Sequence, residues 1–335
     1  MEPVEDSFED GGILEIPSFA LAQGGRLTPL RLAWRSWGRL NKGGDNAVLL
    51  FHPFGGDRHA AGLRPSGRPG WWSELVGVGG ALDTRRYWVV CADVPGGTGE
   101  SSGPATLGPN GKPFGGEFPE LEVADWIRAF GVLLDMKGVS RLEAVCGCSM
   151  GGLQALQWLA IRGESTRRAL VVAMTPRLEG HAQAYCSHIL SLLELGRRGA
   201  ELAGGFCQMT SHSDAHLTRA ALNRGGMDEL MREAGKAFAT DDPVGFRRLV
   251  TAMRRFDLGR GEALRGNLAG FRGRAVLASF KEDWLFPHSG VREVAEALRA
   301  SGAEVNTRIL DGEDGHISFL TRPKVLAPLF RELFA

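Results

Sequence analysis

Val145-Cys146-Gly147-Cys148-Ser149-Met150-Gly151-Gly152 is the stretch that decides the fold. It leaves a strand pattern (Leu142, Ala144, Val145), passes through G-x-S-x-G, and enters a helix pattern carried by Leu153, Ala155, Leu156 and Leu159. A strand, a sharp turn with serine at its tip and a helix make a nucleophile elbow. The turn is strained and admits only small residues two positions either side of the serine, where Gly147 and Gly151 stand. A serine hydroxyl is a weak nucleophile at neutral pH, so Ser149 needs a base and a pocket for a developing anion. The helix opening near Met150 aims its positive end at that pocket.

Outward from the elbow, short apolar runs recur at Ala47–Phe51, Tyr87–Ala92, Ala169–Met174 and Ala275–Ser279. Leu142–Cys146 is another, while 26–37 and Glu304–Leu310 partly alternate. Helical spacing lies between several of them, over 122–138, 151–162 and 289–301, and a last helix is expected over 323–334, opening at Pro323. Strands alternating with helices predict an α/β fold: a mostly parallel central sheet with helices on both faces. From about 176 to 262 the rhythm breaks. Leu190–Leu195, Leu217–Leu222, Met227–Phe238 and Phe246–Phe256 are all at helical spacing. The expected organisation is therefore a core of residues 1–175 and 263–335 with a helical cap, 176–262, inserted over the active edge. The Gly/Pro-rich stretch 95–116 is expected to be a long loop lining a site.

The remaining chemistry falls after later strands. α/β-hydrolases order their triad serine, acid, histidine. The turn Lys281-Glu282-Asp283-Trp284 follows the 275–279 strand, and both Glu282 and Asp283 qualify as the acid. His316 closes the turn Asp311-Gly312-Glu313-Asp314-Gly315-His316 and is the expected general base. Asp314 is read as a loop carboxylate. An oxyanion pocket needs two backbone N–H groups, one from the residue after the serine, here Met150. The other comes from the loop Phe51-His52-Pro53-Phe54-Gly55-Gly56. Pro53 has no N–H, so Phe54 is the expected donor, with His52 ordering the loop.

Composition excludes several classes. Thirty-nine basic residues balance thirty-nine acidic ones, leaving no electrostatic drive toward nucleic acid or an anionic membrane. No apolar run is long enough to span a bilayer. The start, Met1–Asp6, is acidic and lacks the basic and apolar parts of a signal peptide. Five cysteines, three of them in or beside strand-like runs, suit a reduced, cytoplasmic setting. Cys146 and Cys148 are read as pointing to opposite faces of their strand, which would keep them from a shared zinc or disulfide. His212 and His216 could share a helix face, yet no third ligand is evident, so no metal is expected. Val94-Pro95-Gly96-Gly97-Thr98-Gly99 lacks the following helix of a phosphate loop.

Taken together, the residues resemble the homoserine O-acetyltransferase family of α/β-hydrolase-fold enzymes. The motifs that carry the resemblance span nearly the whole chain. They include Gly56-Asp57-Arg58-His59-Ala60-Ala61-Gly62, Pro69-Gly70-Trp71-Trp72, Gly111-Lys112-Pro113-Phe114-Gly115, the elbow, Arg255-Phe256-Asp257-Leu258-Gly259 and Asp283-Trp284-Leu285-Phe286-Pro287. The resemblance implies that Asp283 is the triad acid and that the insertion is a helical lid over a deep pocket. It also implies acyl-CoA as a co-substrate, with no tightly bound cofactor. An apolar cap could pair two copies into a homodimer. Ile317, after the histidine, and Trp284, after the acid, are the candidates for substrate contact.

Two departures bear on the substrate. The homoserine-specific members place an aspartate after the catalytic histidine, where this chain has Ile317. They also carry a cap arginine, and the matching stretch Leu202-Ala203-Gly204-Gly205-Phe206 has none. Burying an amino acid's charges unpaired is costly, so an acceptor other than homoserine is expected. Hydrolysis of a small acyl ester and acyl transfer from acyl-CoA then remain as readings, with hydrolysis slightly ahead. A non-catalytic binding module is the third; such proteins tend to lose a triad member, and none is missing here.

Overall fold

The computed structural model describes residues 8–108, 110–239 and 242–335; the acidic start Met1–Asp6 lies outside them. Eight strands form one sheet: β1 (Glu9–Ile16), β2 (Leu30–Trp37), β3 (Ala47–Phe51), β4 (Trp88–Ala92), β5 (Leu142–Cys148), β6 (Arg168–Val172), β7 (Arg274–Phe280) and β8 (Glu304–Leu310). Their order across the sheet is β1-β2-β4-β3-β5-β6-β7-β8. Only β2 runs against its neighbours; every other pairing is parallel.

Eleven α-helices are described: α1 (Val123–Met136), α2 (Met150–Arg162), α3 (Gly180–Leu193), α4 (Gly196–Ser211), α5 (Asp214–Leu222), α6 (Met227–Ala239), α7 (Pro243–Arg255), α8 (Gly261–Leu268), α9 (His288–Ala300), α10 (Ser318–Thr321) and α11 (Ala327–Phe334). None is long and apolar enough to cross a membrane. The central strands are buried on both faces, as parallel strands covered by helices must be. Leu49 and Phe51 join a core with α1, α2, α8 and α9, while Val48 and Leu50 face Trp72, Leu75 and α11. The expected α/β-hydrolase architecture is the one observed.

Several details differ from expectation. The 26–37 strand breaks at Pro29: Arg26–Leu27 pairs with Phe19–Ala20, and β2 starts at Leu30. Strand β1 was not expected, because most of its side chains are exposed and give no burial pattern; its ladder with β2 holds it. Pro323 opens a short 3-10 turn, with α11 starting only at Ala327. Cys146 and Cys148 lie in the same core layer, not on opposite faces, since a two-residue spacing along a strand returns to one face. All five thiols are free.

Five helices, α3 to α7, fill the stretch between β6 and α8. Their two chain ends are joined: the Leu258 N–H donates to the Pro176 carbonyl (2.9 Å), and the backbones of Arg177 and Asp257 form an isolated antiparallel bridge. Helix α4 is the element the sequence pattern hides, because its four glycines lower helical propensity. Two of the insertion's glycines explain their own presence. A Cβ on Gly204 would stand 2.6 Å from the Ala234 carbonyl oxygen, and one on Gly235 would stand 2.5 Å from that of Glu201. They let α4 and α6 pack backbone against backbone.

Candidate active site

Ser149 sits between β5 and α2 at φ 58° and ψ −125°, a strained conformation that lifts its hydroxyl out of the sheet edge. The glycines around it are required sterically. A Cβ on Gly147 would lie 2.0 Å from the Gly151 carbonyl oxygen, and one on Gly151 would lie 2.2 Å from that of Phe51.

His316 arrives on a short 3-10 turn after β8, and Asp283 on the turn after β7. His316 Nε2 is 2.8 Å from Ser149 Oγ, and His316 Nδ1 is 2.6 Å from Asp283 Oδ2. All three side chains are buried, each 6% exposed, so the relay is shielded from bulk water while the serine stays reachable from a cavity. The N–H groups of Leu285 and Phe286 both donate to Asp283 Oδ1 at 3.0 Å. That fixes the carboxylate with its other oxygen facing the imidazole. Phe286 stacks on the His316 ring and Phe319 meets it edge-on. Glu282, the other acid compatible with the spacing, is exposed.

The loop after β3 folds over the elbow. The Val94 N–H donates to His52 Nε2 (3.1 Å), so Nδ1 carries the proton and donates to the Pro53 carbonyl (3.0 Å). His52 thus orders the loop as a neutral ring. Gln154 Nε2 donates to the carbonyls of both His52 and Met150, tying the loop to the start of α2. Among the described residues, the N–H groups of Phe54 and Met150 have no protein partner. Two unpaired donors beside a buried serine are what a tetrahedral oxyanion requires.

A cavity of about 380 Å³ opens onto Ser149 and His316. Its floor includes Phe54, Leu285, Phe286, Ile317 and Phe319; helices α3, α4, α6 and α7 supply the roof. Ile317 lines it. Trp284 does not, and its expected substrate contact is corrected: the side chain is 41% exposed and packs edge-on against His181. The residue before it must turn inward as Asp283, and the two residues after it, Leu285 and Phe286, are buried, so position 284 faces out.

Sequence reasoning missed the polar part of the roof. Tyr185 and Cys207 pair with each other (3.0 Å), and Gln208, Ser211 and His212 also line the cavity. These residues lie on α3 and at the α4 end; of them the sequence singles out only His212, in a pair with His216 that proves to lie on separate helix segments. Asp314 is occupied as a loop carboxylate, bound by His216 (3.0 Å), Arg219 (2.8 Å) and Arg322 (3.1 Å). Among the described residues no three His, Cys, Asp or Glu side chains are grouped to hold a metal.

Burial pulls His212 down to about 4, so the ring is neutral at neutral pH. An unfolded histidine titrates near 6.5, so the stability this ring contributes is complete above that pH and is lost as pH falls toward 4. Between pH 7 and pH 4, wild-type protein should lose about 2 kcal/mol more stability than His212→Gln, allowing for the ring's partial exposure. Urea unfolding at the two pH values measures the difference; parallel losses in both proteins would contradict it.

Comparison with known proteins agrees with this architecture. The family profile for the alpha/beta hydrolase fold matches residues 46–323. A homoserine O-acetyltransferase of Bradyrhizobium diazoefficiens is 34% identical, over 88% of this chain and 82% of its own length. The chain belongs to the alpha/beta hydrolase fold family, in its homoserine O-acetyltransferase-like branch. Solved structures with the same fold include an esterase (TM-score 0.91, 22% identity, 98% of this chain and 100% of the other). Another is the homoserine O-acetyltransferase of Bacillus anthracis (TM-score 0.88, 20% identity, 98% of each).

Proposed function

We propose that this protein is a serine hydrolase for small, uncharged acyl esters, working through an acyl-enzyme on Ser149. Ser149 Oγ attacks the acyl carbonyl while His316 Nε2 accepts its proton, and Asp283 keeps the imidazole in the right tautomer. The N–H groups of Phe54 and Met150 receive the oxyanion. His316 gives the proton to the departing alcohol, then takes one from water as the water attacks the acyl carbonyl. Returning that proton to Ser149 Oγ as the acyl–serine bond breaks releases the acid and restores the serine.

The observation that carries this reading is the cavity wall. Among the described residues, none in its lining is Lys, Arg, Asp or Glu, and Ile317 occupies the position beside the histidine. An amino-acid substrate would bury an ammonium and a carboxylate there, each without an oppositely charged partner, at several kcal/mol. Wild-type kcat/KM for butyl acetate should therefore exceed that for O-acetylhomoserine by about 100-fold or more. Acetate release from the two esters measures it. Equal values, or a preference for the amino-acid ester, would refute the substrate assignment.

A second reading, acyl transfer from acyl-CoA to a small hydroxyl or amine other than homoserine, draws support from the acetyltransferase name of the 34%-identical relative. It uses the same triad and differs only in which nucleophile resolves the acyl-enzyme.

A further inference from the structure

The same cavity holds a polar pair that the proposed chemistry does not use. In its wall the Ser211 hydroxyl donates to the Cys207 carbonyl (2.6 Å), and Tyr185 is paired with the Cys207 thiol. Two groups are left over. The Gln208 side-chain amide and His212 Nε2 have no protein partner among the described residues. Gln208 is in the last turn of α4 and His212 is its extended C-cap, and both line the cavity.

The state of His212 follows from its neighbours. Its Nδ1 faces the Gln208 carbonyl (2.8 Å), which can only accept, so Nδ1 carries the proton. Nε2 is then a bare lone pair that seeks a donor, whereas the Gln208 amide can both donate and accept. The pair is also held firmly against the catalytic loop. The Ser213 N–H donates to the Asp314 carbonyl (3.1 Å), and a Cβ on Gly315 would come within 2.9 Å of the His212 carbonyl carbon. Gly315 precedes His316, so the end of α4 and the base are set relative to each other by backbone contact.

We propose that Gln208 and His212 form a specificity subsite for an uncharged hydroxyl carried by the alcohol portion of the ester. The hydroxyl donates to His212 Nε2 and accepts from the Gln208 amide, while the hydrocarbon chain lies against the apolar wall. Leaving either group facing hydrocarbon wastes a hydrogen bond, so the subsite rejects plain alkyl chains as well as selecting hydroxylated ones. A charged group finds no counter-ion there, because both partners are neutral, so its desolvation is not repaid. The subsite deepens the acyl-ester reading and rests on it for the identity of the ligand.

Binding to the Ser149→Ala protein tests it without turnover, by ligand-observed NMR titration with butyl acetate and with butanediol monoacetate, which adds a terminal hydroxyl. Introducing His212→Leu should shift the ratio of the two dissociation constants about fivefold toward butyl acetate, and Gln208→Leu should shift it in the same direction. A purely structural role would weaken both ligands together and leave the ratio alone. An unchanged ratio in both variants overturns the proposal. Should His212→Leu unfold, the ratio in Gln208→Leu decides. Wild-type protein that cleaves neither ester, alongside a shifted ratio, would sink the acyl-enzyme reading and keep the subsite.

Discussion

Ser149→Ala should lower ester turnover by about 10,000-fold or more while leaving substrate binding and stability nearly unchanged. The size follows from the role proposed for the hydroxyl, whose oxygen forms the covalent bond to the acyl carbon. Cys186 and Cys207 also line the cavity, but burial pushes both thiols up to about 12, so neither supplies a thiolate at neutral pH. Residual activity should come only from the unpaired N–H groups of Phe54 and Met150 acting on attack by water. Steady-state acetate release from butyl acetate measures the effect. A loss of less than about tenfold would mean that the reaction does not pass through Ser149.

Asp283→Asn should be nearly as damaging, with kcat down by about 1,000- to 10,000-fold, and the reason lies in the second oxygen. Asp283 Oδ1 accepts from two backbone N–H groups, so an asparagine must place its carbonyl there. Its NH₂ then faces His316 Nδ1, which can no longer donate. The imidazole shifts its proton to Nε2 and loses the lone pair aimed at Ser149. Glu282→Gln, one residue away and exposed, should change kcat less than about twofold. The contrast separates loss of the tautomer from a general loss of negative charge; similar effects at both positions would contradict the assignment of the acid.

Local chemistry was the legible part of this protein. The elbow announces itself because a strained turn forces glycine at 147 and 151, and His316 because it closes a polar turn after a strand. The spacing of residues alone left Glu282 and Asp283 tied; the family resemblance pointed to Asp283, and the buried hydrogen bonds to Leu285 and Phe286 show why position 283 turns inward. Trp284 misled for a related reason, since adjacency to the acid says nothing about which way a side chain faces on a tight turn.

The insertion was legible as helices but not as a wall. Helix α4 is glycine-rich because it touches α6 through its backbone, a tertiary demand that looks like poor helix propensity in one dimension. Gln208 and His212 belong to that helix end, so the polar lining of the cavity appears only once α4 is in place. Ile317, by contrast, is legible in the sequence itself as an apolar residue after the histidine, and among the described residues the cavity lining holds no acidic or basic side chain.

The most direct measurement is intact mass after rapid mixing with acetyl-CoA or p-nitrophenyl acetate, run beside Ser149→Ala and paired with assay of free acetate. Formation of an acyl-enzyme that water resolves predicts a short-lived acetyl adduct in wild-type protein with the activated ester, decaying as acetate appears, and neither signal in the variant. A long-lived adduct from acetyl-CoA that disappears only when an alcohol or amine is added would contradict hydrolysis and establish transfer. Acetate release without dependence on Ser149 would contradict the acyl-enzyme itself.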